Sequence, residues 1–347
     1  MKITKAMIRP LALGMELLGS GGGGSATYQT LLLDFLLNKQ MHPLHIIPPE
    51  TVAVDAFILP VAYIGAPIVC LEQLQDGSEF KTLMATAKQV YGRSPDYLMS
   101  AEIGGSNGLT ALIGSCITGI PVVDADLIGR AFPCLQMASA HLAGIPIGPA
   151  IICDAQGNST AIFSKEALSV ENIARNISIA FGSNGLMSLY PLSGKTILHG
   201  AIGESITRAH SLGNAIIDAQ KNAHPLKTLS QAIPAMQIVC QGIITDVEVH
   251  VADGFTRGTI HVTTQKQGTL TIVYQNEYLQ VLDQHKTSCA ATPDIITLLD
   301  STNLKPILSD EIQFGMQVVI ITLPAPDCWY TSQGMALVGP ETLLNNG

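Results

Sequence analysis

Carboxylate side chains in the N-terminal half of the chain are the residues best suited to chemistry on a small polar molecule. Glu102 ends one apolar segment, and Asp124 and Asp126 end another, two positions apart. In an extended chain, residues two apart point to the same side. Together with Glu102 they could hold a divalent metal ion or act as a general acid and base. In the structural alternative, Asp126 caps the next helix or turn and Asp124 pairs with Arg130.

Two glycine-dense segments accompany these carboxylates. The first contains Gly21, Gly22, Gly23 and Gly24. Consecutive glycines take positive φ angles readily and can expose backbone amides as a nest for a carboxylate, a phosphate or a developing oxyanion. The second segment, residues 104–108, includes Asn107 and leads into a predicted helix whose free amides also favour an anion. The alternative for the first run is a flexible turn or spacer.

Two arginines complete the candidate site. Arg130 follows the acidic pair in an apolar loop and could clamp a substrate carboxylate through two hydrogen bonds. Arg257 lies in the turn into a predicted hairpin and could reach the site from the second half of the chain, or could be an exposed loop charge. We therefore predict catalytic roles for the three carboxylates, and substrate binding by residues 21–24, Asn107 and the two arginines. The same carboxylates are the candidate ligands of a metal ion.

Composition limits the kinds of partner. The 347 residues carry a net charge of −9 without a basic run, which argues against nucleic acid and anionic membranes and favours a small-molecule substrate. The glycine segment at residues 104–108 is not a Gly-x-Gly-x-x-Gly motif, and no Gly-Lys-Ser/Thr follows it, so we expect no nucleotide cofactor. Seven widely spaced cysteines and the lack of an export signal suggest a cytoplasmic protein. The apolar share of 47% suggests a buried subunit interface and hence a homo-oligomer.

Short apolar strands alternate with helices up to about residue 150, which indicates an α/β fold with a largely parallel sheet and flanking helices. We predict strands at residues 51–59, 97–102, 121–124 and 150–154. We predict helices at residues 25–37, 78–91, 108–118 and 132–143, and mainly helical structure from 169 to 233. Ligands of open α/β sheets bind beyond the carboxyl ends of the strands, which is where Glu102 and Asp124 fall.

The chain changes character after residue 235. Segments rich in Val, Thr and Ile, separated by turn residues, predict a separate, mostly antiparallel, barrel-like β domain. We therefore expect an α/β domain over residues 1–235, a β domain over 236–330, and a tail over 331–347 that packs back on the first domain.

Taken together, these motifs resemble the S-methyl-thiohydantoin desulfurase family. Its members show Leu-Gly-x-Gly-Gly-Gly-Gly, Glu-Ile-Gly-Gly-x-Asn and Pro-Val-Val-Asp-Ala-Asp segments, the last continuing to Gly-Arg-Ala-Phe-Pro, and a distal Gly-Gly-Phe-Thr-Arg-Gly turn. The corresponding segments of this chain are residues 18–24, 102–107, 121–133 and 253–258, with a further match at 337–340. The resemblance therefore spans nearly the whole chain.

The resemblance implies an α/β domain with a separate β domain, and an enzyme that hydrolytically removes the sulfur substituent of an S-methylated thiohydantoin. Carried over residue by residue, it supports the candidate residues given above. The alternative is a non-catalytic ligand-binding or accessory subunit of a hydantoinase-type system, because glycine nests and acidic residues serve binding as well as catalysis.

Overall fold

The computed structural model describes residues 1–39, 42–65, 76–252, 255–265 and 268–345. Asp253 and Gly254, which begin the distal turn named above, lie outside the described residues. The α-helices are α1 (Lys5–Leu18), α2 (Thr27–Lys39), α3 (Glu79–Tyr91), α4 (Asn107–Thr118), α5 (Ser139–Leu142), α6 (Ala167–Ala180), α7 (Ile197–Gly200), α8 (Ser205–Gln220), α9 (Pro225–Ala232), α10 (Ser332–Val338) and α11 (Pro340–Asn345). Short 3₁₀ helices cover Pro49–Thr51 and Asp327–Tyr330.

The first half of the chain contains a mixed sheet. Its strands, with the ribbon strands β5 and β10, are β1 (Ile46–Ile47), β2 (Phe57–Gly65), β3 (Tyr97–Ser100), β4 (Val122–Val123), β5 (Ala125–Asp126), β6 (Ala150–Cys153), β7 (Ser159–Ile162), β8 (Asn184–Ser188), β9 (Leu192–Ser193) and β10 (Ile202–Gly203). The order is β1-β4-β3-β2-β8-β6-β7, with β9 also on β2. The pairs from β1 to β2 are parallel, and β8, β6, β7 and β9 pair antiparallel. The α/β expectation is confirmed, and the sheet is parallel on one side of β2.

The second half contains an antiparallel sheet. Its strands are β11 (Gln237–Ala252), β12 (Phe255–Thr264), β13 (Gly268–Gln275), β14 (Glu277–Leu282), β15 (Ser288–Ala291), β16 (Ile295–Asp300), β17 (Pro306–Ile307) and β18 (Gln317–Leu323). They follow the order β15-β14-β13-β12-β11-β18-β16-β17, with antiparallel pairing throughout the described strands. The predicted separate antiparallel part is therefore confirmed.

The expected barrel is wrong for the described strands, because the short strands β15 and β17 are the two ends of an open sheet. Alternating residues of β16 and β18 explain this. Leu298 and Ile320 pack with Ile260 in a core of the sheet's own, whereas Leu299 and Ile321 join the core that contains α1. The sheet therefore buries its second face against a helix instead of closing on itself.

Helix α1 was not predicted, since Pro10 within it lacks the N–H that a helix interior needs. Packing of α1 against α8 compensates for the N–H group that Pro10 lacks. A Cβ atom on Gly14 would lie 1.7 Å from the carbonyl oxygen of Ala209, and one on Gly213 would lie 1.7 Å from that of Pro10. Glycine thus lets the two helix backbones touch. Helix α1 ends at Leu18, directly before the glycine run.

Two other predicted elements differ. The helix expected over residues 132–143 is reduced to α5, because Pro133 and the turn residues after it interrupt the pattern. The strand expected over 51–59 begins only at Phe57.

The 3₁₀ helix Asp327–Tyr330 is anchored by Trp329, whose Nε1 donates to the carbonyl oxygen of Ile128 at 2.8 Å. In the described tail, Leu343 joins a core shared with the first sheet. The domain boundaries stay a prediction.

In the part of the chain that the structure describes, no helix combines the length and apolar character needed to cross a bilayer.

Candidate functional site

The glycine run forms a tight loop between α1 and α2 that uses its carbonyl groups to hold both halves of the molecule. The φ angles of Gly21, Gly23 and Gly24 are +86°, +74° and +76°. The carbonyl of Gly21 accepts a hydrogen bond from the amide of Ser309 at 2.9 Å, and that of Gly23 accepts one from the amide of Ser106 at 2.9 Å. Within the described residues, the amides of Gly23 and Gly24 have no hydrogen-bond partner. These two amides are therefore available as donors to a ligand, as the predicted nest requires.

Side chains are excluded from this loop by the residues against which it packs. A Cβ atom on Gly22 would lie 2.0 Å from Oε1 of Glu277, and one on Gly21 would lie 2.5 Å from the ring of Tyr278. One on Gly23 would meet the carbonyl oxygen of Gly104 at 2.3 Å. The loop is therefore a close-packed junction and not a flexible spacer, and it brings the start of β14 to the glycines.

Glu102 follows strand β3 and is oriented by two donors. Its Oε2 accepts a hydrogen bond from Nδ2 of Asn107 at 3.0 Å, and its Oε1 accepts one from the amide of Phe132 at 3.3 Å. Asn107 is itself fixed, because its Oδ1 accepts from the amide of Tyr63 at 2.8 Å. Burial raises the pKa of Glu102 to about 7, against the lowering effect of Asn107. Near neutral pH this carboxyl is therefore poised to gain or lose a proton.

Asp126 lies in β5 and is completely buried. Its Oδ2 accepts hydrogen bonds from the amides of Ile103, Ile128 and Gly129 at 2.9, 3.0 and 2.8 Å. Burial raises the pKa of Asp126 to about 7, although these amide donors lower it. The capping role that the sequence left open for Asp126 is confirmed, and the same bonds tie it to the chain beside Glu102.

Asp124 accepts hydrogen bonds from residues at the start of helix α8. Its Oδ1 accepts hydrogen bonds from the amides of Ile206 and Thr207 at 2.8 and 3.2 Å, and its Oδ2 accepts from the hydroxyl of Thr207. These are among the amides that the first turn of α8 leaves without partners of its own. Asp124 therefore caps α8, and its pairing with Arg130, the alternative that the sequence left open, is wrong.

Arg130 is completely buried between the two halves of the chain. Its Nη1 donates to the carbonyl oxygens of Pro293 and Asp294 at 2.7 and 2.6 Å, and its guanidinium lies 4.4 Å from the ring centroid of Phe132. Burial lowers the pKa of Arg130, while the charge of Glu277 raises it. Its Nη2 has no hydrogen-bond partner among the described residues. Arg130 thus has a buried N–H group free for a ligand.

Glu277 is the residue that sequence reasoning missed. It begins β14, is 3% exposed, and has an Oε2 atom without a hydrogen-bond partner in the described part of the chain. Burial raises the pKa of Glu277 well above its usual range, the charge of Glu102 raises it further, and Arg130 lowers it. Burial thus favours the protonated form of Glu277, and the neighbouring Arg130 favours the ionised form. A signal was present, because a lone acid opens the apolar run Tyr278-Leu279 after the turn residue Asn276.

Arg257 lies at the edge of this group. Its Nε is buried without a partner among the described residues, and its guanidinium lies 5.6 Å from the ring centroid of Phe255. Arg175 of α6 lies over the same ring at 4.4 Å. Both arginines influence Cys134, whose thiol pKa is raised to about 12, mainly by burial. That cysteine is therefore a neutral thiol and not an activated nucleophile.

The structure thus brings together part of the predicted site. Glu102, Arg130 and the glycine loop meet Glu277 in one buried group, and Asn107 and Asp126 support it. Asp124 is instead engaged at α8. Among the described residues, no three or more His, Cys, Asp or Glu side chains are grouped so that they could hold a metal ion, so the suggested triad of Glu102, Asp124 and Asp126 is not assembled.

Two family models together match nearly the whole chain. The family model described as "S-Me-THD-like, N-terminal domain" matches residues 6–164, and "S-Me-THD-like, C-terminal domain" matches residues 165–343. A crystal structure of a protein from Chromobacterium violaceum is similar to this chain, with a TM-score of 0.78 at 21% identity, covering 100% of this chain and 97% of that one. That likeness shows a shared fold. No curated protein matches the sequence.

Proposed function

The chain belongs to the S-Me-THD-like family, and from that premise we propose that it is a hydrolase that removes the sulfur substituent of an S-methyl thiohydantoin. The products are the corresponding hydantoin and methanethiol. The observation that carries the proposal is the buried group of Glu102, Arg130 and Glu277, in which two carboxyls and one cation meet between the two halves of the chain.

We assign opposite roles to the two carboxyls. Glu102, with a pKa of about 7, is partly ionised at neutral pH and can accept a proton from water. Burial raises the pKa of Glu277 well above its usual range and so favours the protonated form, which can donate a proton. Neighbouring carboxyls with pKa values pushed apart by their surroundings are the usual arrangement for acid and base catalysis.

The addition step uses both groups. Ionised Glu102 takes one proton from water, and the water oxygen forms a bond to the ring carbon that bears sulfur. The electron pair of the carbon–nitrogen double bond moves to the ring nitrogen, which takes the proton of Glu277. The resulting tetrahedral carbon carries a hydroxyl group and the methylthio group.

The elimination step restores both carboxyls to their starting protonation states. Glu277, now ionised, takes the hydroxyl proton as the carbon–oxygen double bond forms and the carbon–sulfur bond breaks. The departing sulfur takes the proton held by Glu102. Water has then supplied the oxygen and one hydrogen of the hydantoin and the thiol hydrogen, and both carboxyls are in their starting states.

Binding of the ring falls to donors that the protein leaves free. The amides of Gly23 and Gly24 and the Nη2 group of Arg130 are suited to the ring carbonyl oxygen, where charge accumulates during addition. Arg257 and Arg175, beside Phe255, are suited to a carboxylate on a ring substituent. These roles add Arg175 of α6 to the substrate-binding residues that the sequence suggested.

The test is release of thiol from S-methylated thiohydantoins, followed with a colorimetric thiol reagent. We expect release by the wild-type protein and a loss of about 100-fold or more in Glu102→Gln, the usual scale for removing a general base. Glu50→Gln, an exposed glutamate, is the matched control and should retain full activity. Assays after chelation and after addition of zinc or manganese measure any metal requirement. Tight ring binding without thiol release would instead favour the accessory-subunit alternative.

A further inference from the structure

A cavity of about 660 Å³ lies beside α1 and shares no lining residue with the candidate site. Its floor is one face of that helix, where Arg9 and Glu16 stand seven positions apart and therefore on the same side. The rise of an α-helix separates these two positions by about 10 Å along the axis. Lys305 and Gln220 form part of the wall. The cavity thus presents opposite charges at separate places.

Glu16 is a buried carboxyl without a full set of partners. It is only 4% exposed, and its Oε1 accepts a hydrogen bond from the amide of Ala26 at 3.2 Å. Its Oε2 has no hydrogen-bond partner among the described residues, and no cation of that part of the chain lies within ion-pair distance. Burial raises the pKa of Glu16, and the charge of Lys305 lowers it. A largely buried carboxyl without a counter-ion has the means to bind a cation or a strong hydrogen-bond donor.

The two basic residues are also weakly engaged. Nη2 of Arg9 donates to Oε1 of Gln220 at 3.5 Å, the long limit of a hydrogen bond, and no carboxylate within the described ranges pairs with Arg9. Nζ of Lys305 lies 3.9 Å from Glu311, at the limit of an ion pair. In a protein of net charge −9, two loosely held cations beside one cavity are suited to an anion.

We propose that this cavity binds a small zwitterion, whose ammonium group contacts Glu16 and whose carboxylate contacts Arg9 and Lys305. The ammonium supplies the donor that Oε2 of Glu16 lacks, and the carboxylate supplies the acceptor that the two cations lack. An anion alone leaves the buried carboxyl unpaired, and a cation alone adds repulsion from Arg9 and Lys305. The site therefore selects molecules that carry both charges.

The test uses 6-aminohexanoate, a flexible zwitterion, with hexanoate and hexylamine as single-charge controls, in calorimetric titrations of the full-length protein. We expect the zwitterion to bind at least about tenfold more tightly than either control, a difference of about 1.4 kcal/mol. Glu16→Gln keeps an acceptor for the Ala26 amide, and Arg9→Gln changes an exposed side chain, so both should fold. Each should lower zwitterion affinity about tenfold, whereas Arg93→Gln, an exposed arginine elsewhere, should not.

Thermal unfolding of each variant without ligand checks that the fold is intact, and an upward shift with 6-aminohexanoate should occur only where binding survives. The proposal is overturned if 6-aminohexanoate does not bind, if hexanoate or hexylamine binds equally well, or if folded Glu16→Gln and Arg9→Gln bind it like the wild type. None of these readouts depends on desulfurase activity.

Discussion

Oε1 of Glu277 lies so close to Gly22 that a Cβ atom on this glycine would stand 2.0 Å from it. The two residues come from different halves of the chain, and each limits the position of the other. Gly22 has no positive φ, so an alanine there meets no backbone strain, and the three atoms nearest to its Cβ all belong to Glu277.

Gly22→Ala should therefore displace Glu277 and greatly reduce turnover, because the added methyl occupies the place of the carboxyl. Gly203→Ala is the matched control, since its Cβ would meet only a side-chain carbon of Pro49 at 3.4 Å, an ordinary contact. Thiol release and thermal unfolding of the two variants should be compared. Full activity in Gly22→Ala would remove Glu277 from the proposed mechanism.

Asn107 should set the pH dependence of the reaction. Its Nδ2 donates to Glu102 and lowers the pKa of that carboxyl, which is about 7 with the bond in place. Asn107→Ala removes the donor, so the rise of kcat/KM with pH should move to higher pH. Asn38→Ala, in which an exposed asparagine is changed, should leave the profile in place. Reduced activity with an unmoved profile would assign Asn107 a structural role only.

Asp126 should make the protein less stable as the pH rises. Its pKa is raised from 3.8 to about 7 in the folded state, so the folded protein holds this proton more tightly than the unfolded chain. The associated stability is present below the unfolded pKa and is lost as the pH rises from about 4 to about 7. Asp126→Asn should flatten the fall in the free energy of unfolding over this range, as measured by urea denaturation.

The exposed Asp218→Asn is the control for that experiment and should show the wild-type slope. The same slope in Asp126→Asn would mean that Asp126 is not the group that binds the proton.

Asp124→Ala distinguishes a helix cap from a catalytic carboxyl. Because Asp124 accepts hydrogen bonds from two amides at the start of α8, its loss should cost about 1 kcal/mol in the free energy of unfolding. Turnover of the folded variant should stay within about twofold, since a residue away from the reacting atoms leaves the barrier unchanged. Lost turnover at unchanged stability would restore the catalytic role that the sequence suggested.

The local parts of the site could be predicted from the sequence. Glu102 and Asp126 follow neighbouring apolar segments, and the rule that parallel strands end at a common edge brings their backbones together. The glycine run was suited to a close approach of backbones, and it provides one. These inferences depend on residues near each other in the chain or in adjacent strands.

Contacts between residues far apart in the chain could not be predicted from the sequence. Glu277 reaches the glycine loop only because β14 docks beside it, and no spacing in the sequence encodes that contact. Helix α1 was missed for a similar reason, because Pro10 lowers the helical tendency and only packing against α8 restores it. The arrangement of the sheet was also set by packing, since the second apolar face of β16 and β18 packs against α1 and not against a barrel partner.

The hydrogen bonds that the carbonyl groups of the glycine loop accept limit which segments can be exchanged between relatives of this protein. Ser20 accepts from the amide of Tyr278, and Gly21 accepts from that of Ser309, so a stretch of first-half backbone has the second half as its hydrogen-bonding partner. A chimera that exchanges residues 237–323 between two relatives must bring a β14 that fits the resident glycines. The two halves are thus expected to have been inherited as a pair, with loop and strand changing together.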